Sequence, residues 1–259
     1  MYDFTTPNAP WFDGWTLLAG MATQTTRIRI GTLVSNPIFR NPAVLAKQAI
    51  AIDHMSNGRL NLGIGSGLLM TDHKASGVGF FPPKERVERF REFVEVVDEM
   101  LRNEVTTYHG RYYCVDESYA SPRPIQRPRP PLTLAAHGTQ MLKIAATFAD
   151  SWSSFGGFNL TAEEMFKLLT SEEMFKLTQE RAHKFDRFCS DAGRDPSKID
   201  RSFLVFPPLD PWSSVEAFRE IVDRYQEIGI TEFILYWPIG EQQLLIFEQV
   251  ARNIIPAYS

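Results

Sequence analysis

The chain has 259 residues, of which 44% are hydrophobic, so it can bury the core of a single α/β domain, and we expect one domain over residues 1–259. Its net charge of -4 and pI near 5.8 exclude a general attraction to nucleic acid or to anionic membranes. The sequence contains neither an export signal nor eighteen consecutive apolar residues, and we therefore predict a cytoplasmic protein.

The first clear pattern is a strand, a helix and a second strand. The β-rich run 28–34 ends before Pro37, because proline cannot continue a hydrogen-bonded ladder. Asn41-Pro42 is a typical helix start, and Ser56-Asn57-Gly58 is a typical helix end. The run 59–64 then predicts the second strand. A helix between two such strands indicates a parallel pair with a right-handed crossover.

This part of the chain resembles the luciferase-like family of flavin- and F420-dependent oxidoreductases. The similarity begins with Gly31-Thr32-Leu33-Val34-Ser35-Asn36-Pro37 and continues with Arg40-Asn41-Pro42 before an alanine-rich helix. It ends with Ser56-Asn57-Gly58-Arg59 and Gly63-Ile64-Gly65-Ser66-Gly67. Because the match is ordered and gapless over about forty residues, it is far more specific than an isolated glycine motif.

The resemblance implies an α/β fold of the (β/α)8 TIM-barrel type that is N-terminally incomplete. The helix predicted over residues 13–23 would be the second helix of a complete barrel. We therefore expect the first strand, first helix and second strand to be missing, which leaves about six of eight parallel strands. A misplaced start of the reading frame or a real loss of these strands would each explain the difference.

Between Gly67 and residue 131 the sequence predicts four segments of different secondary structure. Residues 68–79 predict a mobile loop, and residues 84–102 predict a covering helix because their apolar side chains recur every three or four positions. Residues 105–116 predict a β-hairpin, and the proline-rich residues 121–131 predict an extended lead-in. We expect neither the hairpin nor the lead-in to belong to the barrel core.

Alternation of strands and helices resumes at residue 132, which supports a parallel barrel. The predicted strands are 132–136, 151–154, 202–206 and 232–236, and the predicted helices are 139–148, 181–192, 215–228 and 242–254. Between them, Thr161–Leu168 is repeated as Ser171–Leu177, with Met-Phe-Lys-Leu shifted by nine residues. On one helix the two copies would face opposite sides, so we expect one copy to be exposed, kinked away or packed on a partner chain.

Barrel enzymes place their chemistry at the carboxyl ends of strands, and residues 136–139 lie at such an end. Free amides and the dipole of the following helix can bind an anion there, although the same residues are also typical of a simple helix cap. The resemblance favours binding of the cofactor phosphate, with a contribution from the glycine-rich turn after residue 64. The implied residues are Gly65, Ser66, Gly67, Ala136, His137, Gly138 and Thr139. Luciferase and some other members use an arginine where this chain has Ser66, so charge neutralisation would rest on amides and hydroxyls, and the cofactor's identity stays open.

The resemblance also implies residues at the cofactor ring. Leu33 and Val34, followed by Ser35, correspond to the family's bulge with a non-proline cis peptide. Trp152 matches a position that lies near the flavin ring in relatives. From the residues alone, residues 33–35 are only a strand end, and Trp152 could equally fill the top layer of the barrel.

Histidines and cysteines lack the spacing of a metal site or a disulfide. Cys114 and Cys189 have no Cys-x-x-Cys partner, which is typical of free thiols in a reducing compartment. His73, beside Asp72, could act as a substrate-side acid or base, although loop histidines are mostly solvated. We expect no metal, and no general acid or base can be assigned.

Three functions are compatible with these features. The first is a monooxygenase that uses reduced FMN, supplied by a separate flavin reductase, on a small organic substrate. The second is an oxidoreductase that transfers hydride with coenzyme F420, and the third is a non-catalytic flavin-binding or interaction protein. An open barrel would expose the strand edge at 28–34, which a second copy could cover in a homodimer.

Overall fold

The computed structural model describes residues 12–156 and 169–258. Contacts divide them into two compact units. The first unit contains the described residues up to Ala135 together with Phe148–Asp150, and the second contains Ala136–Thr147 and the described residues from Ser151 onward. The single domain expected over 1–259 stays a prediction.

The first unit contains three parallel strands, and β1, β2 and β5 lie side by side in that order. Its elements are α1 (Gly14–Gln24), β1 (Ile30–Ser35), α2 (Pro42–Met55), β2 (Leu60–Ile64), α3 (Met70–Ser76), α4 (Pro83–Arg102), β3 (Val105–His109), β4 (Cys114–Tyr119) and β5 (Leu132–Ala135). The predicted strand, helix and strand are confirmed, as is the start of α2, where the Asn41 side chain accepts a hydrogen bond from the Ala43 amide.

The second unit also contains three parallel strands, in the order β6, β7 and β8. Its elements are α5 (Thr139–Phe148), β6 (Ser151–Ser154), α6 (Ser171–Asp191), β7 (Asp200–Leu204), α7 (Val215–Gln226), β8 (Glu232–Ile234) and α8 (Glu241–Asn253), with short 3-10 helices at Pro196–Lys198 and Ile255–Ala257. Across both units, none of the described helices combines the length and apolarity needed to cross a bilayer.

Two predicted segments have a different structure. The loop expected over 68–79 contains α3, whose Asp72 and His73 are buried. Helix α6 begins at Ser171 rather than at residue 181, because Thr170 and Glu173 form a capping box. In this box each side chain accepts a hydrogen bond from the backbone amide of the other residue. The second repeat copy lies in this helix, and its Met174 is only 1% exposed. The first copy, Thr161–Leu168, lies outside the described residues.

Strands β1 and β2 approach each other too closely for a side chain at Gly63. A Cβ atom on Gly63 would lie 1.9 Å from the carbonyl oxygen of Thr32, well inside van der Waals contact. The pairing of the two strands also shifts register between Thr32 and Ser35. Within this irregular stretch, the Leu33–Val34 peptide bond is cis, which confirms the expected backbone feature.

The lead-in to β5 is held by a buried arginine. The Arg129 side chain is 2% exposed and forms ion pairs with Asp98 on α4 and with Asp150. It also donates hydrogen bonds to the carbonyl oxygens of Pro130, at 3.1 Å, and Phe148, at 3.0 Å. One charged group therefore satisfies two carboxylates and two backbone acceptors in a segment without regular secondary structure.

We predict that Arg129→Met lowers the free energy of unfolding by about 3 kcal/mol, because Asp150 loses its cation and, among the described residues, Asp98 keeps only Arg102. Urea denaturation measures the loss. Arg91→Met is the matched control, since the exposed Arg91 only reaches Glu95 at 3.9 Å on the same helix and its loss should cost about 0.5 kcal/mol or less. Equal stabilities of the two variants would contradict this role of Arg129.

Candidate functional site

Residues 136–139 in the second unit form an open helix start, as the sequence predicts. The Ala136 amide donates to the Ser153 carbonyl at 3.2 Å, which fixes the segment against β6. Helix α5 begins at Thr139, and Gly138 and Thr139 are exposed. A Cβ atom on Gly138 would meet nothing within 4 Å. The helix start is therefore exposed, and the amides of its first turn have no partner within the helix.

His137 lies beside this helix start and has an unsatisfied nitrogen. Its Nε2 atom is shielded from solvent and has no hydrogen-bond partner in the described part of the chain. The ring contacts Phe155 edge-on, with 4.3 Å between centroids. Burial, and then the positive charge of Arg181, lower the pKa of His137 to about 3. The imidazole is therefore neutral at physiological pH.

Arg181 on α6 is a cation that the sequence reasoning missed. Arg181 is 8% exposed, and its Nη1 atom donates a hydrogen bond to the Gly156 carbonyl at 2.6 Å. Burial lowers the pKa of Arg181 to about 10, so the group keeps its charge at neutral pH. Within residues 12–156 and 169–258, it forms no ion pair with a carboxylate. A buried cation of this kind is suited to binding an anionic ligand.

The sequence pattern around Arg181 could have indicated its role, but Arg181 lies on a helix and not at the strand ends where site residues were sought. Arg181 interrupts the buried stripe of α6, which includes Met174, Thr178 and Phe185 at spacings of three and four residues. An arginine inside such a stripe indicates either a buried ion pair or a ligand site.

Trp152 fills the interior of the second unit. Its side chain is fully buried, it stacks on Phe185 with 5.0 Å between ring centroids, and its Nε1 atom donates to the Ala136 carbonyl at 2.8 Å. These contacts agree with the alternative in which Trp152 fills a barrel layer. Proximity of Trp152 to a cofactor stays a prediction.

The first unit brings the other group of predicted residues together at the end of β1 and β2. Leu33 and Val34 are half-buried, and Ser35 is buried. The Ser35 hydroxyl accepts from Trp15 Nε1 at 2.9 Å and lies 3.1 Å from Thr32 Oγ1, which donates to the Gly63 carbonyl. Because Thr32 uses its proton on that carbonyl, Ser35 donates to Thr32. The Ser35 side chain therefore supports the backbone and has no free proton for a ligand.

The turn at residues 65–67 is joined to β1 and to α3. The Gly65 amide donates to the Ser35 carbonyl at 2.8 Å, Gly67 adopts a positive φ of 73°, and Ser66 is half-buried between them. The carbonyl of Gly67 faces Nε2 of His73 at 3.2 Å. The glycine-rich turn is thus fixed from both sides, by β1 and by α3.

His73 connects the glycine-rich turn to the end of the α3 segment. Its Nδ1 atom lies 2.8 Å from the Gly79 carbonyl, while Nε2 faces Gly67, and the residue is only 2% exposed. Both neighbours are carbonyl oxygens, which accept a hydrogen bond from a ring nitrogen that carries a proton. His73 therefore holds the segment 67–79 together and is not the solvated side chain usual for loop histidines.

Solved structures establish the class of fold. An F420-dependent secondary alcohol dehydrogenase in complex with an F420-acetone adduct matches with a TM-score of 0.77 at 20% identity, covering 100% of this chain and 87% of that chain. A monooxygenase from Streptomyces bottropensis matches with a TM-score of 0.71 at 20% identity, covering 95% and 83%. The protein is therefore an α/β protein of the (β/α)8 TIM-barrel type, to which the described residues contribute six parallel strands.

The sequence matches the luciferase-like monooxygenase family over residues 2–229, and the chain belongs to this family. An F420-dependent glucose-6-phosphate dehydrogenase of Segniliparus rotundus is 31% identical over 223 residues, or 83% of this chain and 60% of that protein. An uncharacterized protein of Mycobacterium tuberculosis is 34% identical over 141 residues, or 54% of this chain and 49% of that protein. The chain spans about half the length of the curated relatives that it matches.

We predict an acid-dependent loss of stability that originates at His137. Its pKa is about 3 in the folded protein and near 6.5 in the unfolded chain, so only the unfolded state binds the proton between these values. The free energy of unfolding should therefore fall as pH decreases from about 6.5. The fall should be steeper in the unmodified protein than in His137→Gln, by about 1 kcal/mol per pH unit.

Urea denaturation at several pH values between 7 and 5 measures the two slopes. His183→Gln, an exposed histidine on α6, is the control and should keep the slope of the unmodified protein. If His137→Gln also keeps that slope, His137 is not buried as a neutral imidazole.

Proposed function

We propose that this protein is an oxidoreductase that transfers hydride between coenzyme F420 and a small organic substrate. The observation that carries the proposal is the buried Arg181 beside His137 and the open N-terminus of α5. Membership of the luciferase-like family and the names of several relatives, which are F420-dependent dehydrogenases, support the choice of cofactor.

The side chains and amides of this site fit a phosphate group. Arg181 supplies a positive charge, the first turn of α5 supplies amides, and Thr139 supplies an exposed hydroxyl. The neutral ring of His137 has an Nε2 atom without a partner among the described residues, and this atom can donate a hydrogen bond. Arg181 supplies the positive charge that the sequence analysis found missing, because this chain has Ser66 where some family members have an arginine. Neutralisation of the phosphate would rest on Arg181 as well as on amides and hydroxyls.

The chain's own residues would bind and orient the cofactor and exclude water. Residues 136–139 with Arg181, all in the second unit, would hold the phosphate. The role at the cofactor ring that the family resemblance implies for Leu33 and Val34, in the first unit, stays a prediction. Residues 65–67 would present main-chain groups, because two of the three positions lack a side chain. The bound deazaflavin itself would supply the hydride chemistry.

Oxygenation with reduced FMN is the second candidate function. The fold shared with a monooxygenase from Streptomyces bottropensis favours it, and a separate flavin reductase would then be a partner. FMN also carries a phosphate that the same groups could bind. In either case we expect a cytoplasmic protein that acts on a small molecule. We also expect a homodimer, since β1 pairs only with β2 among the described strands of its unit and leaves one edge for a second copy.

Arg181→Gln should weaken cofactor binding by about tenfold to a hundredfold, because the phosphate loses a buried charge-assisted contact. Fluorescence titration of the cofactor-free protein measures the dissociation constant. Arg187→Gln, which changes an exposed arginine on the same helix, should leave it within about twofold. Unchanged affinity in folded Arg181→Gln, judged by circular dichroism, would remove Arg181 from the proposed site.

Titration with F420 and with FMN tests the choice of cofactor. We expect F420 to bind more tightly by about tenfold or more, which is a difference of about 1.4 kcal/mol. Stopped-flow bleaching of F420 by candidate alcohols and sugar phosphates would then identify the substrate. Preferential binding of FMN would favour the monooxygenase, and binding of neither would favour the non-catalytic alternative.

A further inference from the structure

The β3–β4 hairpin carries three potential metal ligands on its exposed face. His109 and Cys114 are direct cross-strand partners, and Asp116 follows two residues later on the same face of β4. His109 Nδ1 lies 3.2 Å from Cys114 Sγ, and His109 Nε2 lies 3.1 Å from Asp116 Oδ1. One ligand atom from each residue lies within 4.8 Å of the others, a grouping that occurs once in the described part of the chain.

The opposite face of the hairpin is fixed to α4. Tyr108, which precedes His109 and therefore points the other way, donates its hydroxyl hydrogen bond to Glu95 at 2.7 Å. The Glu92 carboxylate accepts hydrogen bonds from three consecutive turn amides, at 3.0, 2.7 and 3.1 Å. The three amides belong to Arg111, Tyr112 and Tyr113. The backbone that carries the ligands is thus held in place before any ion binds.

The chemistry of the three ligands selects the kind of ion. A thiolate, an imidazole and a carboxylate together suit Zn²⁺ and related transition metals, whereas Mg²⁺ and Ca²⁺ prefer oxygen ligands alone. Asp116 forms no ion pair with a lysine or arginine among residues 12–156 and 169–258. Cys114 is exposed, while the chain's other cysteine, Cys189, is buried. All three ligands are therefore accessible to an ion from solvent.

We propose that His109, Cys114 and Asp116 form a Zn²⁺ site on the hairpin, independent of the proposed oxidoreductase function. Binding would replace the proton of the Cys114 thiol with the Zn–S bond, and that proton would pass to solvent. The imidazole would turn one nitrogen from its present partner to the ion, and water would complete the tetrahedral shell. Sequence spacing did not indicate this site, because strand pairing brings the three residues together across a turn.

Metal titration of untagged, chelator-treated protein tests the proposal. Co²⁺ should give a thiolate-to-metal charge-transfer absorption that saturates at one ion per chain, and Zn²⁺ should abolish it by competition. We expect Cys114→Ser to lose this absorption, and His109→Ala and Asp116→Asn each to weaken Zn²⁺ binding by about tenfold or more in calorimetry. The control His183→Ala, an exposed histidine far from the hairpin in sequence, should stay within about twofold.

A second measurement does not depend on any variant. Zn²⁺ should slow alkylation of the accessible Cys114 thiol by about tenfold or more, while Mg²⁺ at the same concentration should not. Binding that is equally strong in the three variants, a Co²⁺ complex without the thiolate absorption, or unchanged alkylation would each overturn the site. If Cys114→Ser fails to fold, the alkylation rate and the other two variants decide the question.

Discussion

The close approach of β1 and β2 is the constraint on which the first unit depends. No Cβ atom fits at Gly63, since it would lie 1.9 Å from the Thr32 carbonyl oxygen. This approach accompanies the register shift after Thr32, and the shifted backbone is held by the hydrogen bonds that run from Trp15 through Ser35 to Thr32. The Gly65 amide donates a hydrogen bond to the Ser35 carbonyl, so the irregular end of β1 fixes the position of the glycine-rich turn. Backbone proximity, more than any side chain, shapes this part of the candidate site.

The buried charged side chains of the two units differ in their partners. Most buried charges in the first unit are paired, as with Arg129 and its two carboxylates, or accept backbone hydrogen bonds, as Asp53 does from Ile125 and Gln126. Arg181 instead donates to the Gly156 carbonyl, forms no ion pair among the described residues, and lowers the pKa of its neutral neighbour His137. Burial of a cation is unfavourable without an anion, and the described residues supply none, so a bound anionic ligand would give the arrangement a physical reason. A phosphate-bearing cofactor, as used by F420-dependent relatives, would do so.

Charged side chains hold the lead-in to β5 and the turn of the hairpin, neither of which has a regular ladder of its own. The lead-in over residues 121–131 has no ladder of its own, yet Asp53 accepts two of its amides and Arg129 joins it to α4. The hairpin is held in the same manner by Glu92, which accepts three turn amides. In each case a carboxylate or guanidinium satisfies backbone groups that would otherwise need water. None of these contacts uses the exposed face of the hairpin, which carries the proposed metal ligands His109, Cys114 and Asp116.

The sequence by itself determined the features that depend on neighbouring residues. The Asn41-Pro42 helix start, the alternation of strands and helices and the open start of α5 all follow from local propensity, and the ordered run 31–67 was enough to indicate the family. The α3 helix was missed because its segment has no clear apolar period and is held by contacts of His73 with Gly67 and Gly79. Only the tertiary structure placed Arg181 beside His137 and set His109 opposite Cys114. Packing of α6 decides the first arrangement, and the strand register within the predicted hairpin, which the sequence left open, decides the second.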